Sequence, residues 1–530
     1  MNLNNILSST ITLNYVNVVT INISDSIVIY FSGNISIESI KSLFNNHSSI
    51  PVHLLLGLIS TSYNNFFIII KTPYEIFFCV DHISGYPLFY SEINGALNIS
   101  NGVINVELDY DDEKILELIS SGYISRSGTL SRKWERLEAG HYYYRSSSTT
   151  IIKQYFIYYP MPLFQIDTKD QYIENLDSVL NNSIDRMLLY ASNRRIVIFL
   201  SSGIDSRLLL AKIKQRSNAD ILAITYGAKN FFEKDLAKST ASIANVKWHY
   251  CQLNIKQSRD VFLSKERVKY SQWASSLNVI PGYMEYQALV ELMRTGIILQ
   301  NDLIINGQTG DFISGGHIPA CLFNGGSRKI LSNYYIKKHY SLWEGMNSKS
   351  TAYLSNLIVS YIKSDDFIAS YEHIEWRERQ SKLVMRGQRL YDYLGLDWSL
   401  PLWDKEFVNF WATVPYKYKF NQNLMIDYVQ QVLPDYFVKI KGVPDLWRGK
   451  LSFVPYIAKI IELTSGHQNK ESYYKWMSYY GRFYYQYSLF GREIYKKYWR
   501  NIRNAGAIIA ASYLEDLDLN LDYFLSKFYS

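Results

Sequence analysis

The chain has 530 residues, 48% of them hydrophobic and 19% charged, with 12 prolines, a balance that excludes a largely disordered polypeptide and calls for about two or three cores rather than one. Its 55 basic and 48 acidic residues give a net charge of +7 without a long run of either sign, which argues against a nucleic-acid partner. Cys79, Cys251 and Cys321 are spaced too widely for a disulfide framework or a zinc site, so a reducing, cytoplasmic setting is expected.

The amino-terminal stretch has no basic segment followed by an apolar run, and no span approaches about 18 consecutive apolar residues, so neither a signal peptide nor a membrane helix is predicted. From residue 11 to about residue 158, short apolar or alternating runs follow one another: TLNYVNVVTINI, SIVIYFSG, HLLLGLI, FFIIIKT, EIFFCVD, HYYYR and TIIKQYFIYY. All are read as strands, and the close turn residues between them predict a β-rich sheet or sandwich domain. Pro160 and Pro162 then punctuate the chain, which divides it into residues 1–160 and 165–530.

Beyond this boundary the pattern becomes α/β. A helix over Asp170–Ser192 leads into a strand at Ile196, a second helix into the strand Ile221–Gly227, a third over Glu233–Asn245, and Leu303–Asp311 is a strand emptying into a polar loop. Strands alternating with helices predict a parallel sheet that takes its ligand at the strands' carboxyl ends. From about residue 325 aromatic-rich amphipathic segments predict extra helices packed on that sheet. The basic run REIYKKYWRNIR, Arg492–Arg503, reads as a solvated helix face.

Two loops carry the chemistry. In IVIFLSSGIDSR, Ile196–Arg207, a β-branched run ends in small residues and one carboxylate. Ser201, Ser202 and Gly203 let backbone N–H groups approach an anion, the following helix points its positive end at the same place, Ser201 and Ser206 can donate to phosphate oxygens, and Asp205 can hold magnesium. No lysine lies in the loop, so it is not the common mononucleotide pattern. NGQTGDFISGG, Asn306–Gly316, is the second loop, with Asp311 as its carboxylate. Two such loops on one sheet can face one ATP, with Asp205 and Asp311 each giving an oxygen to Mg2+.

SSGIDS resembles the SGGxDS loop of pyrophosphate-loop ATP enzymes, with Ser202 in place of the second glycine. The second loop resembles SGEGGDELFGG of the asparagine synthetase family, which includes β-lactam synthetases and lasso-peptide cyclases; Asn306, Gly307, Gln308, Gly310, Asp311, Gly315 and Gly316 fall on matching positions. SLPLWDKEFVNFWATVPYKYKF is similar to the family's PFLD segment through Pro401 and Asp404, KIKG at Lys439–Gly442 to a later landmark, and VDHISGYPLFYSEINGALNISN to the family's GxxPLYY stretch.

The resemblance implies an amino-terminal glutaminase-like domain of the N-terminal nucleophile type. The family's cysteine has no counterpart, since Asn2 follows Met1 and Cys79 falls within a strand, so this domain is expected to be inactive. It implies ATP contacts from Ser201, Ser202, Gly203, Ile204, Asp205, Ser206, Ile224 and Gly307. The family's acid is Gln308 here, which can hydrogen-bond but not act as a base, and the acid after the loop aspartate is Phe312. Asp397, four residues before Pro401, becomes the base candidate, and Lys441 the candidate for the family's pyrophosphate lysine.

The activity so implied is an ATP-dependent amide synthetase that adenylates a small-molecule, sugar or peptide carboxylate and passes ammonia or an amine to it, in a possible homodimer. A lasso-peptide or β-lactam type of cyclase and a non-catalytic scaffold are the alternatives.

Overall fold

A computed structural model of the chain describes residues 8–529 except 46, 48, 164–167, 228–232, 324, 438–453, 468, 472, 475–493, 495–496 and 500. Lys441, the KIKG landmark and five of the twelve residues of the Arg492–Arg503 cluster lie outside the described residues.

Among the described residues the amino-terminal part holds ten strands: β1 Ser9–Thr12, β2 Val19–Ser24, β3 Ile27–Gly33, β4 Phe66–Lys71, β5 Ile76–Val80, β6 Phe89–Ile93, β7 Ala96–Ser100, β8 Glu135–Arg136, β9 His141–Arg145 and β10 Thr150–Gln154. Six form an antiparallel sheet in the order β10-β9-β5-β4-β3-β2, and four form a second sheet, β1-β7-β6-β8. Strand β4, FFIIIK, is apolar on both faces because both are covered. Phe67 and Ile69 face the second sheet's Phe89, Leu97 and Ile99, while Phe66, Ile68 and Ile70 pack with Ile40, Leu55 and Ile59 of the helices Ile37–Leu43 and Val52–Thr61.

Two local expectations fail here. HLLLGLI forms part of the helix Val52–Thr61 rather than a strand. Its buried residues Leu55 and Ile59 lie four apart, the spacing of one helix face, and Pro51 precedes its first turn. TLNYVNVVTINI does not form one strand either. The chain turns at Tyr15, whose φ is 62°, so β1 joins one sheet and β2 the other.

The carboxyl-terminal part is organised on a five-stranded parallel sheet of β11 Ile196–Phe199, β12 Ile221–Gly227, β13 Lys247–Gln252, β14 Leu303–Ile305 and β15 Asp397–Ser399, in the order β13-β12-β11-β14-β15. The chain moves outward from β11 to β13 and returns to β14 on the other side of β11. That reversal opens a crevice at the carboxyl ends of β11 and β14, where ligands bind in open α/β sheets. The helix Lys169–Ala191 enters the sheet through a capping box of Thr168 and Gln171.

The described residues after 325 are mainly helical, as the sequence predicts, with β15 the exception. One stretch, Glu375–Val384, is π-helical. The apolar core runs without a break from the second amino-terminal sheet through the parallel sheet to Tyr529. Among the described residues no helix is long and apolar enough to cross a membrane.

Candidate active site

Strands β11 and β14 are adjacent, with Ile196 opposite Leu303 and Ile198 opposite Ile305, so the two acidic loops leave the sheet side by side. The first turns through Leu200–Ser202 into the helix Ile204–Arg216, with Gly203 as its N-cap and Asp205 in its first turn. Ser201 and Ser206 hold each other: the Ser201 N–H donates to Ser206 Oγ at 3.1 Å, and the two hydroxyls lie 3.2 Å apart. Ser201 Oγ also accepts the Gly203 N–H at 3.1 Å, and Ser202 Oγ donates to Glu233 at 2.8 Å. These bonds fix the shape of the turn and leave Gly203 exposed at its tip.

The second loop lies directly on the first. A β-carbon at Gly310 would fall 2.3 Å from Asp205 Oδ1, and one at Gly307 would fall 3.0 Å from Asp205 Cβ. Only glycine permits that approach. Between these glycines Thr309 has φ 81°, a costly left-handed conformation for a β-branched residue, and its buried hydroxyl lacks a partner among the described residues. Strain of this kind persists where the surrounding structure over-determines it, as at ligand-binding loops.

The two carboxylates differ in environment. Burial, followed by the charge of Asp311, pushes Asp205 up to about 7, although the Asp311 N–H bonds to it. Among the described residues its buried Oδ1 has no hydrogen-bond partner. Burial also opposes ionisation of Asp311, but the hydrogen bond and charge of His317 outweigh it and hold that carboxyl below its ordinary value. The Asp311 side chain is 55% exposed. His317 bridges Asp311 Oδ2 at 3.1 Å and the buried Glu375 Oε1 at 2.5 Å. Against its burial, Glu375 and Asp311 push the imidazole up to about 9, so it is a cation at neutral pH.

An orphaned carboxylate oxygen beside a second, accessible carboxylate fits a hard divalent cation. Among the described residues no group of three or more His, Cys, Asp or Glu side chains has metal-holding geometry. Any such ion would therefore complete its shell with phosphate oxygens and water.

Gln308 lies beside this centre. Its Oε1 accepts from the buried Gln388 Nε2 at 2.6 Å, and Gly387 leaves room for its amide, since a β-carbon there would fall 2.7 Å from Gln308 Nε2. Its backbone N–H donates to Asn306 Oδ1 at 2.8 Å, and Asn306 Nδ2 donates to the Tyr391 hydroxyl at 3.1 Å. That hydroxyl in turn donates to Glu285, whose carboxyl is pushed by burial up to about 7.

Two candidates fall elsewhere, and a third is not among the described residues. Asp397 is not brought to this centre: it sits opposite Leu303, at the amino end of the strand pair whose carboxyl end carries Asn306, and bonds Arg194 at 2.6 Å and Asn17 at 2.8 Å. An aspartate engaged by an arginine at the far edge of the sheet is a structural ion pair, which corrects its reading as the base. Ile224 is wholly buried in β12, and its carbonyl accepts the Leu200 N–H at 2.7 Å. Lys441 lies outside the described residues. Gln388, His317, Glu375, Tyr391 and Glu285 were absent from the sequence reading, because each joins the site by tertiary contact and none has a motif spacing.

The model of the asparagine synthase family matches residues 175–437. No curated protein matches the chain. Among solved structures the chain is similar to an NH3-dependent NAD synthetase from Campylobacter jejuni, at 15% identity over 37% of this chain and 99% of that one with a TM-score of 0.21. It is also similar to NMN synthetase from Francisella tularensis, at 12% identity over 53% and 100% with a TM-score of 0.20. Likeness this slight bears no weight for fold or function. The family match does: residues 175–437, which carry both acidic loops, are an asparagine synthase domain.

Proposed function

We propose that the protein is an ATP-dependent ligase that forms C–N bonds, adenylating a carboxylate and transferring ammonia or an amine to it. The observation that supports this reading is the packing of Gly307 and Gly310 against Asp205. It draws two loops about a hundred residues apart into one crevice at the switch point of the sheet.

The backbone N–H of Ser202 and the amino end of the helix Ile204–Arg216 supply donors and positive potential for phosphate oxygens. Asp205 and Asp311 are the residues that would hold magnesium, which when bound neutralises charge on those oxygens. In the first step an oxygen of the acceptor carboxylate attacks the α phosphorus, the bond to the bridging oxygen breaks, and pyrophosphate leaves. In the second the nitrogen lone pair attacks the acyl carbon, AMP leaves with the bonding electrons, and the nitrogen releases a proton. Gln308 and Gln388 are neutral at every relevant pH, so their part is to orient the acyl group or the amine. With Asp397 engaged by Arg194, Glu285 is the carboxylate assigned to take the proton.

The loss of acidic groups at Gln308 and Phe312 favours a sugar or peptide carboxylate over free aspartate. The amino-terminal sheets are assigned a structural role as a glutaminase-like scaffold. Their cysteine, Cys79, is buried in β5 with its thiol pushed well up by burial and Asp81, so it is no nucleophile.

Pyrophosphate release measured with ATP, ammonium and a panel of sugar, peptide and amino-acid carboxylates tests the reading. Carboxylate-dependent release is expected, lowered about 100-fold or more by Asp205→Asn. A flat signal across the panel from folded protein would point instead to a non-catalytic scaffold.

A further inference from the structure

Where the second amino-terminal sheet meets the carboxyl-terminal part, a narrow cavity is lined by Arg136, Lys382, Arg386 and Arg389 together with neutral side chains, among them Ser84 and Asn278. Four of these residues are cations, and no Asp or Glu is among the lining residues.

The charges do not cancel. Lys382 is neutralised by Glu378 at 2.5 Å and by the carbonyls of Ile124 and Arg126. Arg389 pairs with Asp392 at 3.1 Å, donates to the Asn101 carbonyl at 2.6 Å and lies over the Trp273 ring at 3.6 Å; among the described residues its buried Nε has no hydrogen-bond partner, and the residue is 2% exposed. Arg136 is 4% exposed and donates only to neutral acceptors, Asn278 Oδ1 at 3.0 Å, Ser84 Oγ at 3.2 Å and the Ser381 carbonyl at 2.6 Å. Arg386 donates to the Ile280 carbonyl at 3.0 Å. Neither Arg136 nor Arg386 hydrogen-bonds a carboxylate among the described residues. Burial pulls all three guanidiniums down to about 10, which still leaves them charged at neutral pH. Arg386 is only partly buried, and Arg136 feels the charges of Glu378, Glu138 and Asp81 without hydrogen-bonding any of them. A buried guanidinium whose hydrogen-bond partners are all neutral is costly, and an anion between these groups would offset that cost.

We propose that this cavity is a binding site for one small inorganic anion, chloride by size and abundance, held by Arg136, Arg386 and the free Nε of Arg389. The space admits little more than one water-sized group, which excludes phosphate, sulfate and organic acids. An anion here ties β8 of the amino-terminal sheets to the turn Met385–Gly387, and Gly387 abuts Gln308. Its occupancy sets how firmly that turn is held. The inference stands apart from the ligase reading, since no step of that reaction passes through the cavity.

Two measurements on the full chain test it. Crystals soaked in sodium bromide should show an anomalous peak inside the cavity. The thermal midpoint at constant sodium should rise by about 1 °C per tenfold increase in chloride replacing gluconate, an anion too large to enter, and should lose that dependence in Arg386→Gln. Should Arg386→Gln fail to fold, the bromide peak and the chloride-against-gluconate comparison in the unaltered chain still decide. A cavity without bromide, a bromide peak unaccompanied by any chloride-specific rise, or a folded Arg386→Gln that keeps the full rise would overturn the proposal.

Discussion

Asp205 is the residue on which the crevice turns, and its ionisation has a consequence for stability. Its ordinary pKa of 3.8 rises to about 7 in the fold, so between those values the folded protein holds a proton that the unfolded chain has lost. Stability from this source is therefore fully present below about pH 4 and lost as pH rises through about 7. Asp205→Asn removes the buried charge. The unliganded variant is expected to exceed the unaltered protein at pH 8 by roughly 2 kcal/mol in urea denaturation, with the difference gone near pH 4. Equal stabilities at pH 8 would show that the carboxylate is solvated.

Asp205 and Asp311 were legible in the sequence because a strand, a small-residue turn and a carboxylate within a dozen positions form a local signal. Gln388 was not, because its amide meets Gln308 across 80 residues. Asp397 misled for the opposite reason. Its spacing to Pro401 is local and suggestive, but the register opposite Leu303 decides which end of the sheet it occupies, and register is a tertiary property.

At the scale of elements, HLLLGLI shows what an apolar run leaves undecided. Seven residues satisfy a strand and a helix alike, and the packing of Leu55 and Ile59 into the amino-terminal core settles the matter. Gly57 is exposed in that helix, and a β-carbon there would meet nothing within 4 Å. Gly57→Ala is accordingly expected to stabilise the protein by about 0.5–1 kcal/mol in denaturant titration, whereas in a strand the substitution would have no helix propensity to gain. The π-helical turns of Glu375–Val384 carry no sequence signature, yet they bring Gln380 Nε2 within 3.1 Å of the Glu375 carboxylate that anchors His317. Strands β11, β12 and β14 were legible, because alternating helices and β-branched strands repeat the same signal, whereas β15 and the order of the strands were not.

For the molecule as a whole, the joint between the two parts is built from large side chains rather than loop contacts. Trp398 of β15 stacks on Tyr86 at 4.5 Å and donates its indole N–H to Asp392 at 2.8 Å, while Gly85 lies against the same ring. Tyr86 belongs to the turn after Asp81, whose carboxylate accepts the N–H groups of Phe66, Ile83 and Gly85. The VDHISGYPLFY stretch is therefore a docking turn between the sheets and β15. Trp398→Ala is expected to cost about 3–5 kcal/mol, seen as a loss of unfolding midpoint shared by probes in both parts. A loss confined to one part would mean that the two unfold independently.

The central claim is that the two acidic loops form one nucleotide site, and calorimetric titration of the full chain with ATP in the presence of magnesium tests it most directly. The account predicts stoichiometric, magnesium-dependent binding that weakens about 100-fold or more in Gly310→Ala, whose methyl group would overlap Asp205 Oδ1, and is unchanged in the control Gly57→Ala. Absence of ATP binding by the unaltered chain, or equal affinity in folded Gly310→Ala, would contradict it.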